Sequence, residues 1–100
     1  MISRRTRDFN KLFHSLPQTI QKLSIQTYKL WSSNPNHPGL HFKQIGSTEI
    51  WSIRIGAKYR AFALIKEDNI ARWFWIGSHE HYNQLLKQLR NIAKGKISYN

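Results

Sequence analysis

The sequence predicts an α+β fold in which an N-terminal helical hairpin packs on a twisted four-stranded antiparallel sheet and a C-terminal helix follows. Three observations predict it: apolar residues recur at helical spacing up to residue 33, alternate over 40–76, and return to helical spacing from residue 78. A chain of 100 residues has room for one core and not for two, so we expect a single domain over 1–100.

Two helices are predicted before residue 34. Apolar residues recur three and four positions apart over 9–16 and again over 20–31. Ser15 and Gln18 have the spacing of a capping box, so the second helix is predicted to run from about Leu16 to Ser33.

Four strands and a last helix are predicted after the turn at 34–39, whose prolines and glycine disfavour helix. The strands contain Leu40 and Phe42, then 51–55, 59–65 and 73–76, and Trp73 and Trp75 are expected to share one strand face. Their short connections favour antiparallel hairpins. The segment 2–5 is too short to be predicted as a strand. The last helix is predicted from an N-cap at Ser78 to Gly95, with an apolar stripe formed by Tyr82, Leu85, Leu86, Leu89 and Ile92.

The composition describes a folded and strongly basic protein. Sixteen Lys and Arg against five Asp and Glu give a formal net charge of +11, while 13% of the residues are aromatic. A disordered basic tail would lack that aromatic content. The charge predicts a polyanionic partner, which is nucleic acid first, an acidic protein second and an anionic membrane surface third.

Several classes of protein are excluded by what the sequence lacks. Without cysteine it has neither a disulfide scaffold nor a thiolate zinc site. No apolar stretch approaches the roughly 20 residues that span a bilayer, and no signal-peptide core follows the basic start. We therefore expect a cytoplasmic protein with no membrane association.

Basic residues around the predicted turn at Ala57 form the first candidate site. A turn centred there places Arg54 opposite Arg60 on one sheet face, with Lys58 in the loop. Two guanidinium groups can hold a phosphate bidentately and keep their charge, and Lys43 is a further phosphate-binding candidate. The alternative is that these side chains serve only solubility and edge protection.

The segment 77–82, where the most apolar strand meets the last helix, forms the second candidate site. His79 and His81 lie in a first helical turn, where the positive end of the helix dipole favours neutral imidazole, a potential base. With Tyr82 they suggest metal-free proton transfer from a ribose 2′-hydroxyl and to a leaving 5′-oxygen. The alternatives are surface histidines and a core role for Tyr82. The spacing of a metal site is absent, so no metal or cofactor is expected.

Two strings of residues carry a resemblance to a known family. Ile-Trp-Ser-Ile-Arg-Ile-Gly at 50–56 precedes Tyr-Arg-Ala at 59–61, and Trp-Phe-Trp-Ile-Gly-Ser-His-Glu-His-Tyr occupies 73–82. Over roughly residues 6–90 the chain resembles the RelE/ParE superfamily of type II toxins, small basic proteins neutralised by an antitoxin. The resemblance implies a concave basic face, which cleaves mRNA in the ribosomal A site in the RelE-like branch and inhibits DNA gyrase without cutting RNA in the ParE-like branch.

By position, the resemblance matches Arg60 to a strand arginine that stabilises phosphate charge, and Arg54 to a basic residue of the preceding strand. His79, His81 and Tyr82 fall near the family's C-terminal catalytic residues, whereas Ser52 stands where RelE-type proteins often have a lysine.

The leading hypothesis is a ribosome-dependent mRNA endonuclease with an acidic antitoxin as partner. In this mechanism the phosphate is bound by Arg54, Lys58 and Arg60. His79 or His81 acts as the base or the acid, and Tyr82 orients the ribose. The alternatives are a gyrase inhibitor and a non-toxic nucleic-acid-binding module.

Overall fold

Five strands and three α-helices make up the described part of the chain. The computed structural model describes residues 1–93, and side chains up to residue 91. The predicted end of the last helix at Gly95 and the side chain of Ile92 lie outside the described residues. In chain order the elements are β1 (Ile2–Arg5), α1 (Arg7–His14), α2 (Gln18–Ser33), a 3₁₀ helix (Pro38–Leu40), β2 (Lys43–Gln44), β3 (Ile50–Ile55), β4 (Tyr59–Ile65), β5 (Ile70–Ser78) and α3 (His79–Ala93).

The sheet has five strands in the order β1-β5-β4-β3-β2, of which β1 is parallel to β5 and the other pairs are antiparallel. The prediction of four antiparallel strands is therefore wrong by one strand. The extra strand β1 shows no alternation, because three of its four residues are polar and Ile2 is 61% exposed. Backbone pairing with β5 holds it, together with a hydrogen bond from Trp73 Nε1 to Ser3 Oγ at 2.9 Å.

The strand predicted at Leu40 and Phe42 is displaced. Pro38–Leu40 forms a 3₁₀ helix, His41 adopts a left-handed conformation with φ 45°, and β2 covers only Lys43–Gln44. Leu40 is nevertheless buried and Phe42 packs against the same core. Leu40 and Phe42 are thus two positions apart because a turn directs both side chains into the core, and not because they lie on a strand.

The start of the second helix also differs from the prediction. Ser15 ends α1, where its hydroxyl donates to the carbonyl of Leu12 at 2.7 Å, and α2 begins at Gln18 after Pro17 without a side-chain cap. The predicted capping box at Ser15 is therefore wrong. Thr6 instead caps α1, by accepting a hydrogen bond from the Phe9 amide at 3.1 Å.

The two N-terminal helices follow each other as predicted, but they pack mainly on the sheet and not closely against each other. α1 lies against β5 and α2 against β3. A cavity of about 730 Å³ lies between the two helices and the sheet. In the described part of the chain, no helix is both long and apolar enough to cross a membrane.

Two apolar clusters fill the two sides of the sheet. The cluster beneath α1 and α2 includes Phe9, Trp31 and Ile53. The cluster beneath α3 is built around Phe62 and Tyr82, and the predicted helix stripe continues there through Leu85, Leu86 and Leu89. We call the second side of the sheet the α3 face.

A β-bulge in β5 changes which side chains reach the α3 face. Trp73 pairs with Ala63 and Trp75 with Phe62, so Phe74 is an extra residue between them. Trp73 consequently packs beneath α1 and α2, whereas Trp75 packs against the α3 cluster. The prediction that the two tryptophans share a face is wrong, because the inserted residue reverses the alternation.

Two glycines with positive φ provide a test of how tightly α2 packs on the sheet. Gly56 (φ +59°) lies in the β3–β4 turn, and an added Cβ would come within 2.7 Å of the Leu23 side chain. At Gly46 (φ 52°) an added Cβ would meet no atom of the described residues within 4 Å. We predict that G46A lowers the free energy of unfolding by about 1 kcal/mol through backbone strain. G56A should cost more, up to about 2 kcal/mol, because the end of the Leu23 side chain must also shift away from the added methyl group. Urea unfolding measures both, and equal losses would contradict close packing of α2 at this turn.

Candidate phosphate-binding site

The β3–β4 hairpin places two arginines side by side. Arg54 pairs with Arg60 in the register, as the turn centred on Ala57 predicts. The three-residue connection 56–58 closes because Gly56 adopts the left-handed conformation that glycine tolerates. Paired residues point to the same side, so both guanidinium groups lie on the α3 face, where both residues are half-buried.

Backbone carbonyls hold the two guanidinium groups in place. Arg54 Nε donates to the carbonyl of Gly56 at 3.0 Å. Arg60 Nη1 donates to the carbonyl of Tyr59 at 2.7 Å and to that of Gly56 at 3.5 Å. The acceptor that the two arginines share is therefore neutral, and it leaves their positive charge uncompensated.

The electrostatics of Arg60 reflect that arrangement. Partial burial lowers the pKa of Arg60, the neighbouring charge of Arg54 lowers this pKa further, and Tyr82 opposes the shift. Within residues 1–93 the ion pair is between Arg72 and Asp68, 2.7 Å apart at the β4–β5 turn, and it holds the pKa of Asp68 at about 2. Neither Arg54 nor Arg60 forms an ion pair with a carboxylate of the described residues. Two neighbouring guanidinium groups in this situation favour the binding of an anion between them.

Tyr82 connects Arg60 to the first turn of α3. Its ring centroid lies 5.8 Å from Arg60 Cζ, within the range of a cation–π contact. The imidazole of His79 stacks on the same ring at 5.8 Å and 18°. Tyr82 is itself only 6% exposed, and its hydroxyl donates to Ser52 Oγ at 3.3 Å.

Lys58 and the start of α3 are joined through the backbone. The His79 amide donates to the Lys58 carbonyl at 2.7 Å, which fixes the hairpin loop against the helix. Ser78 caps α3 as predicted, because its hydroxyl accepts from the His81 amide at 3.3 Å. The positive end of the α3 dipole therefore lies beside the loop that carries Lys58.

The predicted site residues fall into two groups. The first group is connected. The hairpin register pairs Arg54 with Arg60, the Tyr82 ring contacts Arg60 and His79, and the His79 amide bonds to the Lys58 carbonyl. The two remaining residues lie at the edges. His81 is exposed, with its Nδ1 3.3 Å from Ser78 Oγ. Lys43 is exposed on β2 and shares the α3 face through its pairing with Ser52.

Sequence reasoning missed the roles of two small residues. Ser52, only 2% exposed, accepts the Tyr82 hydroxyl, and its position two residues before Arg54 on the same strand could have indicated the shared face. Gly77 pairs with Arg60, and a Cβ there would lie 2.6 Å from Trp75 Cζ2. The indole of Trp75 thus covers the strand position opposite Arg60.

The arrangement suits an anion better than a metal ion. Among the described residues, no three His, Cys, Asp or Glu side chains are grouped so as to hold a metal. The paired planar guanidinium groups offer donors that match phosphate oxygens. The imidazole of His79, which stacks on the Tyr82 ring, adds a nitrogen donor and a nitrogen acceptor to this surface.

If the arginine pair binds phosphate, inorganic phosphate should stabilise the protein through it. We predict that phosphate raises the melting temperature more than sodium chloride of equal ionic strength, and that R54Q/R60Q abolishes the difference. The matched control is R4Q/R5Q, which removes two arginines of β1 and should leave the phosphate response intact. An equal response in both double variants, measured by thermal melting, would show that phosphate acts through general charge.

Comparison with known proteins identifies the family of the chain. Among solved structures, the isolated E. coli RelE toxin superposes with a TM-score of 0.61 at 14% identity, over 88% of this chain and 97% of RelE. The RelE–RelB complex from Pyrococcus horikoshii gives a TM-score of 0.62 at 13% identity, over 77% of this chain and 92% of the other. The RelB–RelE antitoxin–toxin complex from Methanococcus jannaschii gives 0.61 at 19% identity, over 82% and 96%. At these identities the likeness shows the fold.

No curated protein matches the sequence. The family model described as the ParE-like toxin domain matches residues 18–84, which include the hairpin with both arginines and the first turn of α3. Because this match covers more than half of the chain, the resemblance to the RelE/ParE superfamily is confirmed, and the protein belongs to the ParE-like toxin domain family.

Proposed function

We propose that this chain is the toxin of a toxin–antitoxin pair and cleaves mRNA on the ribosome without a metal ion. The observation that carries the proposal is the Arg54–Arg60 pair on the α3 face. Neither arginine forms an ion pair with a carboxylate among the described residues, and Arg60 and His79 both contact the ring of Tyr82. A phosphodiester supplies the missing negative charge. The RelE-like fold of the solved structures supports the same reading.

In the proposed reaction a ribose 2′-oxygen attacks the adjacent phosphorus. A histidine, His79 or His81, accepts the 2′-hydroxyl proton, and the new O2′–P bond forms as the P–O5′ bond breaks. The leaving 5′-oxygen takes a proton from the other imidazole in its protonated form. The products are a 2′,3′-cyclic phosphate and a 5′-hydroxyl end. Arg54, Arg60 and Lys58 stabilise the charge that develops on the phosphoryl oxygens.

The ribosome supplies what the toxin surface lacks in this proposal. His79 and His81 are exposed, so the described residues do not enclose a substrate. An mRNA held by the ribosome arrives already ordered, and this lowers the entropic cost of aligning its 2′-hydroxyl with phosphorus. The formal charge of +11 speeds the encounter with the ribosome, and a ribosomal target places the toxin in the cytoplasm.

We propose an antitoxin with an acidic surface as the partner. Two of the three structures compared above are complexes of RelE with RelB. The excess of sixteen basic over five acidic residues makes an acidic partner electrostatically complementary. Such a partner would compete with RNA for the α3 face.

Inhibition of DNA gyrase without catalysis is the second candidate function. The inward-turned Tyr82 hydroxyl favours it, because a tyrosine bonded to Ser52 is not free to contact a ribose. The match to the ParE-like family model is consistent with it as well. Under this proposal the arginine pair binds the target without cleaving it.

Pulse labelling after induction separates the candidates. The endonuclease proposal predicts that protein synthesis stops within minutes while DNA synthesis continues, and that R60A and H79A each relieve the arrest. R4A, an exposed arginine of β1, is the control that should remain toxic. Prompt loss of DNA synthesis with translation intact would reject the endonuclease in favour of gyrase inhibition. Unhindered growth with steeply salt-dependent RNA binding would reject both in favour of a non-toxic binding module.

A further inference from the structure

We infer that Tyr82 and Ser52 are positioning residues: a buried pair that fixes Arg60 and His79 and does not itself contact RNA. The inference deepens the proposed function and rests on it for the identity of the substrate. It assigns a role to Ser52, for which the sequence alone predicted none. It also replaces the expected role of Tyr82 in orienting the ribose.

The burial of the pair is the first step. Tyr82 is 6% exposed and Ser52 is 2% exposed. The Tyr82 hydroxyl points to the interior, where it donates to Ser52 Oγ at 3.3 Å. A hydroxyl in this position reaches substrate only by leaving Ser52, and the serine would then be a buried polar group without its partner, which is costly.

The surroundings of the Tyr82 ring are the second step. The ring stacks on Phe62 of β4 at 5.3 Å and 28°. It also stacks on His79 at 5.8 Å, and Arg60 Cζ lies 5.8 Å from its centroid. One ring therefore contacts both the proposed proton carrier and the proposed phosphate ligand.

The hydroxyl and the ring together connect three elements. Ser52 lies on β3, Phe62 and Arg60 lie on β4, and His79 and Tyr82 lie on α3. Anchored at both its hydroxyl and its face, the ring sets the separation between the strand that carries Arg60 and the helix turn that carries His79. Displacing a catalytic group by about 1 Å can cost on the order of a hundredfold in rate.

Three variants of the full chain separate positioning from substrate contact. Y82F keeps the ring and removes the hydroxyl, Y82L removes the ring, and S52A/Y82F removes both hydroxyls so that neither is left without a partner. The controls are S24A, a buried serine that bonds to the Ile20 carbonyl on α2, and Y28L, a tyrosine of α2 that is 45% exposed. Thermal melting establishes that each variant folds.

The first readout is the single-turnover cleavage rate of mRNA on programmed ribosomes, with the half-saturating toxin concentration measured separately. We expect Y82F and S52A/Y82F to cleave roughly three- to tenfold more slowly than wild type, because the ring keeps its stacking contacts but loses its anchor at Ser52. Y82L should lose on the order of a hundredfold in rate with little change in half-saturation. If Y82F loses as much as Y82L, the hydroxyl acts on substrate and the inference is overturned.

The second readout does not depend on the proposed function. The rise in melting temperature caused by inorganic phosphate reports on Arg60 whether or not the protein cleaves RNA. We expect Y82F to retain most of the wild-type rise because the ring stays beside Arg60, and Y82L to lose about half of it or more. A full phosphate response in a folded Y82L would overturn the inference. A wild-type protein that leaves mRNA intact but shows the expected phosphate responses would reject only the endonuclease proposal.

Discussion

The register of the β3–β4 hairpin is the constraint on which the site depends. Closure through Gly56 sets Arg54 against Arg60, and the same register sets Ser52 against Phe62 two residues further along. Because side chains alternate along a strand, a slip of β3 by one residue would move Arg54 and Ser52 to the opposite face, while Arg60 and Phe62 on β4 stayed where they are. The conformational freedom of one glycine therefore decides whether the basic residues and the anchor of Tyr82 share a surface.

A second geometric condition comes from the bulge in β5. By reversing the alternation after Trp73, it places Trp75 on the α3 face and Gly77 opposite Arg60. The small residue leaves space that the indole of Trp75 occupies. β5 continues directly into α3, and the aromatic residues of the α3 cluster pack between this helix and the sheet beside the site. Phe62, Phe74, Trp75 and Tyr82 serve this packing, whereas other aromatic residues, among them Phe9, Trp31 and Trp73, pack beneath α1 and α2.

The sequence predicted the features that depend on local spacing. The opposition of Arg54 and Arg60 follows from counting across a short turn, and the cap at Ser78 follows from its hydroxyl at a helix start. β1 escaped prediction because its stability comes from pairing with β5, 65 or more residues away in sequence, and not from its own pattern. The bulge and the Ser52–Tyr82 bond are likewise long-range, since each is decided by the partner strand or helix.

The most direct test of the central claim is cleavage of a defined mRNA in a purified translation system, with the scissile nucleotide of the A-site codon carrying either ribose or 2′-deoxyribose. We predict that the toxin cuts the ribose message to leave a 2′,3′-cyclic phosphate, and that it leaves the deoxyribose message intact because the attacking oxygen is missing. An intact ribose message, or cleavage of the deoxyribose message at the same bond, would contradict the account.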